Sequence, residues 1–305
     1  MDTRKYSQNK YGIIIASHQP KLELLFDILV KLSRMDINRI FLIDSSNLET
    51  SRNLQLFIDK LNEASKIQNI YYKNVENCGV GHKYNLGFEL CLKHNCDVMT
   101  ILTDDVIIDE KKFKPMEIVN YFYTNLDVCK DVLALSSWNR ENFGIRSEIE
   151  LGPDFGMTLS NKLAQILNFR EDLVLDFSDV DLCLRIRKNG GKIKLYTRET
   201  ITSIPSGSKT SEDVPHLPVW RIYLDIRNYL ALSYEYKDLK FFMINSYCVV
   251  KFFITSYMCG EKFSHLFKAA FLGLLDSISG KLGITDNLQN LTNNIFYNGK
   301  TRIKP

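Results

Sequence analysis

Two adjacent carboxylates follow an apolar run in the stretch ILTDDV, residues 101–106. Asp104 and Asp105 end a segment that begins at Val98 and has the composition of a buried parallel strand. Carboxylate oxygens are the ligands that Mg²⁺ and Mn²⁺ prefer, and these cations bridge to substrate phosphates. A plain surface turn would also accommodate two acids. The stretch contains no histidine or cysteine that would suggest zinc.

A second acidic stretch, SDVD, begins at Ser178. Ser178 and Asp181 have the spacing of a capping box, which places Asp179 in the first turn of the following helix. A carboxylate at a helix N-terminus stays ionised near neutral pH, as a general base must when it takes a proton from a hydroxyl. Acids in a first turn also offset the helix dipole without any catalytic role. The local sequence favours neither interpretation.

Asp44 follows the apolar stretch IFLI. At the end of a second parallel strand, a carboxylate can accept hydrogen bonds from a nucleobase or a ribose hydroxyl. The alternative is a turn-forming aspartate beside Ser45 and Ser46.

The segment NCGVGHKYNLG, residues 77–87, places Gly79 and Gly81 before a helix. Small residues let backbone N–H groups approach a phosphate, and a helix start favours negative charge. Glycines are also common in loops that carry no ligand. Asn85 and Gly87 interrupt the helix with poor helix formers, which indicates close packing against a neighbouring element.

Arg221 begins a further cluster, in the stretch PHLPVWRIYLDIRN. Arg221 and Asn228 share a helix face, and Asp225 has the spacing of an ion-pair partner for Arg221. A solvated ion pair is the ordinary interpretation. The guanidinium group of arginine also fits a phosphate, so contact with a diphosphate is the second interpretation.

Alternating strand and helix patterns must position these residues. YGIIIAS, RIFLIDSS, NIYYKNV and VMTILTDDV read as strands, and amphipathic helical segments separate them. This β-α-β-α-β-α-β order predicts an α/β fold with a mostly parallel central sheet. Ligands of such sheets bind beyond the carboxyl ends of the strands.

Polar residues follow all four predicted strands. The carboxyl ends of parallel strands lie at one edge of the sheet, so these residues are predicted to form one site: Ser17, His18, Asp44, Ser45, Asn77, Gly79, Gly81, Asp104 and Asp105.

The later chain divides into less regular parts. Residues 132–139, GMTLS and KIKLYTRETIT read as strands, and NKLAQILNF and DFSDVDLCLRIRKNGG as helices. From about residue 216 the chain is aromatic-rich and helical, with no turn signal before Gly260. We therefore predict a domain at 1–215, with a nucleotide-binding half at about 10–106 and an acceptor half at about 107–215, and a helical region at 216–305.

Bulk composition narrows the class of protein. The formal net charge of +3 is too small for a basic nucleic-acid-binding face. Seven dispersed cysteines suit a reducing cytoplasm better than a disulfide framework. The segment MDTRKYSQNK lacks the apolar core of a signal peptide.

Taken in order, these motifs resemble glycosyltransferase family 2, and most closely its rhamnosyltransferase-like and galactofuranosyltransferase-like members. The likeness spans about residues 10–285. It rests on the strand-ending Asp44 and on NCGVGHKYNLG, TDDV, FGMTLS, DFSDVDLCLRIRKNGGKI, RIYLDIRN and LDSISGKLG.

The resemblance implies a GT-A type nucleotide-sugar-binding fold, a divalent metal (Mg²⁺ or Mn²⁺) and inversion at the sugar carbon. It makes Asp44 the nucleoside contact, Asp105 the metal ligand and Asp179 the catalytic base. The remaining residues predicted to bind the nucleotide-sugar donor are Ser17, Asn77, Gly79, Lys83, Asn85, Asp104 and Arg221.

The sequence departs from the family pattern at three places. Thr103 stands where the first acid of a D-x-D motif is usual, and Ser178 where many members have glutamate. A late histidine of the family is missing from SIPSGS, and His216 is a possible substitute.

These residues predict transfer of galactofuranose, rhamnose or a related hexose from a UDP- or dTDP-linked donor to a glycan or lipid-linked acceptor. The alternatives are a nucleotidyltransferase acting on sugar phosphates, although IIIASHQPK lacks its glycine-rich loop, and a non-catalytic nucleotide- or glycan-binding relative.

Residues 241–260 carry one charge, Lys251, at the middle of a length close to that of a membrane span. The charge disfavours spanning and leaves a buried helix or an in-plane amphipathic helix. We predict a cytoplasmic protein, peripheral on the inner face of the cell membrane, in which the helical region contacts the membrane surface or a second copy of the chain.

Overall fold

The computed structural model describes residues 10–65, 69–135, 148–149, 155–196, 200–203 and 218–292. The chain divides into two compact units. The first comprises residues 1–75, 82–169 and 179–204, and the second residues 76–81, 170–178 and 205–305. The predicted domain boundary at 215–216 lies outside the described residues.

The first unit begins with the alternation predicted from the sequence. Its elements are β1 (Tyr11–Ser17), α1 (Leu22–Ser33), β2 (Arg39–Asp44), α2 (Leu48–Ser65), β3 (Ile70–Asn74), α3 (Val80–Lys93) and β4 (Val98–Thr103). β1 pairs in parallel with both β2 and β4, and β2 pairs in parallel with β3. The predicted α/β class with a mostly parallel sheet is confirmed.

The sheet continues beyond β4 with shorter strands. The order is β3-β2-β1-β4-β8-β6-β9-β7, and β8 runs antiparallel to both of its neighbours. A separate pair, β5 and β10, is antiparallel. The elements are β5 (Val106–Ile108), α4 (Pro115–Asn125), β6 (Val132–Ala134), β7 (Glu148–Ile149), β8 (Met157–Ser160), α5 (Asn161–Ala164), α6 (Ser178–Lys188), β9 (Ile193–Leu195) and β10 (Ile201–Ser203).

Two sequence predictions in this part were wrong in extent. KIKLYTRETIT was predicted as one strand, but it contributes β9 to the large sheet and β10 to the small one. NKLAQILNF was predicted as a helix, but only the short α5 forms. Residues 136–139 of the strand predicted at 132–139 lie outside the described residues.

Close packing of α3 on β1 explains the poor helix former at Gly87. A Cβ at Gly87 would lie 2.3 Å from Cγ2 of Ile14, so only glycine allows this approach. β1 is buried along its whole length. The carboxyl end of β1 is therefore held in place by the helix that carries Lys83 and Asn85.

The second unit is helical in its long C-terminal part. Its helices are α7 (Val219–Tyr236), α8 (Leu239–Met258), α9 (Phe263–Ile278) and α10 (Asp286–Thr292). The sequence predicted no turn before Gly260, and this was wrong. Lys237 adopts a left-handed φ of 52°, and the Asp238 side chain caps α8 by accepting a hydrogen bond from Phe241 N.

α8 is the helix among the described residues that is long and apolar enough to cross a membrane. Of its residues, only Phe241 and Ser256 are buried.

Candidate active site

Asp104 joins the carboxyl ends of β1 and β4. Its Oδ2 accepts hydrogen bonds from Ser17 Oγ at 2.8 Å and from His18 N at 3.0 Å. Burial raises the pKa of the Asp104 carboxyl, and the two hydrogen bonds and Lys83 partly oppose that rise. The predicted neighbours Ser17 and Asp104 are thus in direct contact.

Asp105 uses a different partner. Its Oδ1 accepts a hydrogen bond from Thr103 Oγ1 at 2.5 Å. Thr103, which replaces the usual first acid of the motif, therefore orients the Asp105 carboxylate. Asp104 and Asp105 both lie in the turn that follows β4, and their carboxylates accept hydrogen bonds from separate partners.

The two carboxylates fit a divalent metal that a substrate completes. No group of three or more His, Cys, Asp or Glu suited to a metal occurs in the part of the chain that the structure describes. Mg²⁺ is commonly held by one or two carboxylates together with substrate phosphates. Asp105, with Asp104 beside it, supplies that number of ligands. The late His216 lies outside the described residues.

Lys83 lies in the first turn of α3 and is almost fully buried. Its Nζ donates a hydrogen bond to the Ser17 carbonyl oxygen at 2.8 Å. Burial, and after it the charge of Lys83, lower the pKa of His18. At the ends of β1 and β4, this edge of the sheet therefore combines the Lys83 cation with the carboxylates of Asp104 and Asp105, which suits a phosphate-bearing ligand.

Asp44 is fully buried and already holds four hydrogen bonds. Its carboxylate accepts from Ser46 N and Ser46 Oγ, from the Tyr72 hydroxyl at 3.0 Å and from Asn74 Nδ2 at 3.2 Å. Any nucleoside contact at Asp44 would have to share or exchange these partners.

Sequence reasoning missed the contributions of Tyr72 and Asn74, whereas His18 was among the residues predicted for this edge. β3 pairs Asn74 with Asp44, and an alternating strand presents residues 72 and 74 on one face. His18 Nδ1 lies 3.0 Å from the Ser45 carbonyl oxygen. The period-two placement of two polar residues in NIYYKNV was the signal that could have identified this cluster.

Asn85 ties α3 to the main chain of Phe169. Its Nδ2 donates to Phe169 O at 3.0 Å, and its Oδ1 accepts from Phe169 N at 2.8 Å. These contacts give Asn85 a positioning role, and its predicted contact with a donor stays a prediction.

In the second unit, Gly79 allows two chain segments to cross closely. Its φ is 101°, and a Cβ there would lie 2.2 Å from Val174 O. The next residue, Val80, donates its N–H to Val174 O at 2.7 Å. Asn77 precedes this crossing and is buried. This close crossing explains why residue 79 is a glycine without any role in binding phosphate.

The segment that Gly79 contacts has unusual backbone geometry. Val174, Asp176 and Phe177 have φ values of 67°, 23° and 69°. Residues other than glycine rarely adopt such φ values, and each residue that does so costs about 1–3 kcal/mol of conformational energy. The strained segment Val174–Phe177 immediately precedes Ser178 and Asp179 in the chain.

Two buried residues of α7 hold the strained segment. Asn228 Nδ2 donates to Leu173 O and Asp176 O, both at 2.9 Å. Arg227, which is fully buried, donates to Gly283 O at 2.6 Å and to Leu173 O at 3.3 Å. The RN pair of RIYLDIRN is therefore a clamp on main-chain carbonyls.

Arg221 forms a two-pronged ion pair with Asp176. The prediction had named Asp225 as its partner, and Asp176, which lies in the strained segment, is a further acid that Arg221 contacts. Burial raises the pKa of Asp225 well above its ordinary value, and the charge of Asp176 raises it further. Arg221 belongs to the second unit, and its predicted contact with a diphosphate stays a prediction.

Asp179 lies in the first turn of α6, as predicted, and is largely buried. Its Oδ1 accepts the Val180 N–H at 2.8 Å. The predicted capping box does not form, because the buried Ser178 Oγ has no hydrogen-bond partner. Asp181 instead pairs with Arg185 at 2.8 Å.

Comparisons with known proteins give structural neighbours alone. No family model and no curated protein matches the chain. Among solved structures, S. aureus TarS 1-349 in complex with UDP has 13% identity and a TM-score of 0.47, covering 88% of this chain and 72% of that one. S. aureus TarS 1-349 has 12% identity and a TM-score of 0.48, covering 89% and 72%. Likeness of this degree carries no argument about function, which we derive from the residues.

Proposed function

We propose that this protein is a glycosyltransferase of the GT-A type that uses a nucleotide-sugar donor. The observation that carries the proposal is the edge of the parallel sheet, where Ser17, Lys83, Asp104 and Asp105 meet beyond β1 and β4. Parallel α/β sheets bind ligands at this edge. The ordered motifs that resemble glycosyltransferase family 2 supply the reaction class.

The donor is divided between two parts of this edge. The cluster around Asp44, with Tyr72 and Asn74, presents hydrogen-bonding groups for a nucleoside. Lys83 and the Asp104–Asp105 pair serve the diphosphate, because they combine a cation with carboxylates able to hold a metal. We propose a UDP- or dTDP-linked hexose as the donor.

Asp105, with Asp104, is the residue pair that would hold Mg²⁺ or Mn²⁺. When bound, the metal supplies positive charge that neutralises the departing nucleoside diphosphate. Thr103 fixes the Asp105 carboxylate for this purpose, and Ser17 and the His18 main chain fix Asp104.

Asp179 acts as general base in the proposed inverting reaction. An acceptor hydroxyl oxygen bonds to the anomeric carbon as the bond from that carbon to the diphosphate oxygen breaks. The hydroxyl proton passes to the Asp179 carboxylate, and the diphosphate leaves with the bonding pair. The Val180 N–H donates to Asp179 Oδ1 and so orients the carboxylate.

Asp179→Asn tests the proposal. The amide keeps the shape of the carboxylate but accepts no proton, so turnover should fall by about 10²–10⁴-fold. The dissociation constant of the donor should stay within about twofold, measured by calorimetry with UDP- and dTDP-sugars. Asp59→Asn, at an exposed acid on α2, is the control and should retain full activity.

Three results would contradict parts of this proposal. Normal turnover in the Asp179 variant removes that residue from the mechanism. Release of pyrophosphate in place of nucleoside diphosphate indicates a nucleotidyltransferase. Tight donor binding without transfer to any saccharide indicates a binding protein.

A further inference from the structure

Helix α8 turns an apolar stripe outward. The side chains recur every three or four residues, which places them on one face of a helix. Each is more than half exposed: Leu239, Met243, Tyr247, Val250, Ile254 and Tyr257. The buried residues Phe241 and Ser256 lie on the opposite face. A helix that packed both faces into a core would not show this arrangement.

Helix α9 carries a matching stripe in the same unit. Phe263, Phe267, Phe271 and Ile278 are more than half exposed. Its other face is packed so closely on α7 that a Cβ at Gly273 would lie 2.6 Å from Tyr223 O. The stripe therefore remains outside while the helix itself is firmly anchored.

The two stripes meet at Phe263. Its ring centroid lies 6.2 Å from that of Tyr257 on α8 and 6.2 Å from that of Phe267 on α9. We call this combined surface of α8 and α9 the apolar face. Contiguous exposed apolar surface of this kind marks sites of contact with a partner or a membrane.

The charges around the apolar face are positive. Residues 239–281 contain five lysines and two acids. One acid, Asp276, is buried and accepts hydrogen bonds from the Tyr223 hydroxyl and Asn287. The lysines are exposed: Lys240, Lys251, Lys262, Lys268 and Lys281.

This combination fits an anionic lipid surface better than a second copy of the chain. Two identical apolar faces would bring lysines against lysines, whereas acidic headgroups complement them. Tyrosine rings suit the boundary between acyl chains and headgroups. Lys251, at the middle of α8, favours a helix lying in the plane of the membrane over one that crosses it.

We propose that the apolar face docks the protein in the plane of an anionic membrane, with α8 and α9 at the acyl boundary and the lysines on the headgroups. The proposal does not depend on the sugar, the nucleotide or the catalytic base. A lipid-linked acceptor is the substrate that such docking would serve.

Vesicle flotation with the full chain tests this inference. The probes are vesicles of phosphatidylcholine alone and of phosphatidylcholine mixed with phosphatidylglycerol. The variants are Tyr247→Asp with Ile254→Asp on the stripe, and Lys251→Gln with Lys268→Gln among the lysines. Leu56→Asp, an exposed apolar residue on α2, is the matched control.

We expect binding to the mixed vesicles that is released by high salt. The two lysine substitutions together should weaken binding to the mixed vesicles about 25-fold, because each lysine near the surface contributes about fivefold. The two substitutions on the stripe should weaken that binding at least about tenfold, and the control variant should bind like the native chain. Circular dichroism identifies a stripe variant that fails to fold, and the lysine pair still tests the proposal.

Four results would overturn the inference. In the first, the native chain does not float with either kind of vesicle. In the second, it binds neutral and anionic vesicles equally. In the third, it stays with the vesicles after alkaline carbonate, which would mean that it spans the membrane. The fourth is a dimer by light scattering that the stripe pair abolishes, which makes a second copy the occupant. Loss of sugar transfer with intact flotation concerns the proposed function alone.

Discussion

At the scale of single residues, the acids of the site differ in the number of hydrogen bonds that their carboxylates accept. Asp44 is buried and its carboxylate accepts four hydrogen bonds. Asp104 accepts two, and its pKa is raised. The ionised carboxylate of Asp104 therefore lowers the stability of the fold, which is typical of a group in a functional site.

Asp104→Asn should stabilise the fold while weakening donor binding. A raised folded-state pKa means that stability from Asp104 is present at low pH and lost as pH rises through that pKa. The amide oxygen can still accept from Ser17 and His18 but carries no charge. The variant should therefore melt about 1–2 °C higher near pH 7.

The difference between variant and native chain should shrink as pH falls and vanish about one pH unit below the ordinary aspartate pKa, where Asp104 is protonated in the folded and the unfolded state alike. Thermal melts across about pH 3–7 measure it. A variant that melts lower than the native chain at pH 7 would mean that the ionised carboxylate stabilises the fold.

Individual site residues could be predicted from the sequence only where their partners are local. Asp104 and Asp105 follow from an apolar run that ends at a sheet edge. The Asp176 partner of Arg221 and the Tyr72 contact of Asp44 come from segments distant in the chain. Spacing rules describe neighbours on one element, so they offered Asp225 for Arg221 and could not offer Asp176.

At the scale of elements, regular segments were predictable and the break between α7 and α8 was missed. The first four strands have apolar runs too long for a surface loop, and both faces of the sheet must be covered. The break between α7 and α8 occurs at Lys237, a residue with no turn preference. Lys237 has a left-handed φ there that its residue type does not predict. Asp238, which caps α8, was the local signal for this break, because aspartate favours the N-cap position.

The clamp on the strained segment Val174–Phe177 is the strongest element-level constraint. Asn228 and Arg227 hold carbonyls on both sides of Val174 and Leu175. Without them the backbone would relax to ordinary φ values. Because the segment runs directly into Asp179, we expect its geometry to set the start of α6.

Asn228→Ala should therefore cost about 1–3 kcal/mol in unfolding free energy, since it removes the Asn228 donor from the Asp176 carbonyl and from Leu173 O, which keeps a longer bond from Arg227. Turnover should fall more than donor affinity, because relaxation reaches Asp179 along the chain. Urea unfolding and a kcat-against-KM comparison measure the two effects. Ser233→Ala is the matched control on α7.

Ser233 is buried and its Oγ has no hydrogen-bond partner, so that change should alter stability by less than about 0.5 kcal/mol. An Asn228 variant as stable and active as the control would show that the strained segment needs no clamp.

At the scale of the whole molecule, the two units carry different constraints. The first unit concentrates its polar groups at one edge of a sheet whose parallel half is β3-β2-β1-β4. The second combines a carbonyl clamp with an exposed apolar face. Composition predicted a helical C-terminal region. It could not predict that segments 76–81 and 170–178 belong to the same unit, because those assignments depend on long-range contacts.

The last prediction concerns the stability of the whole chain with a nucleotide. A ligand at about 100 times its dissociation constant stabilises by about 2.7 kcal/mol, so UDP or dTDP with Mn²⁺ should raise the melting temperature by about 3–6 °C. Asp105 and Asp104 are too few to hold a metal without phosphate oxygens. Mn²⁺ or EDTA alone should therefore leave the melting temperature unchanged, and EDTA should remove most of the nucleotide effect.

Asp105→Ala should lose the metal-dependent part of this rise in melting temperature, whereas Asp59→Asn should keep it. If neither nucleotide shifts the melting curve at millimolar concentration with Mn²⁺, the sheet edge is not a nucleotide site.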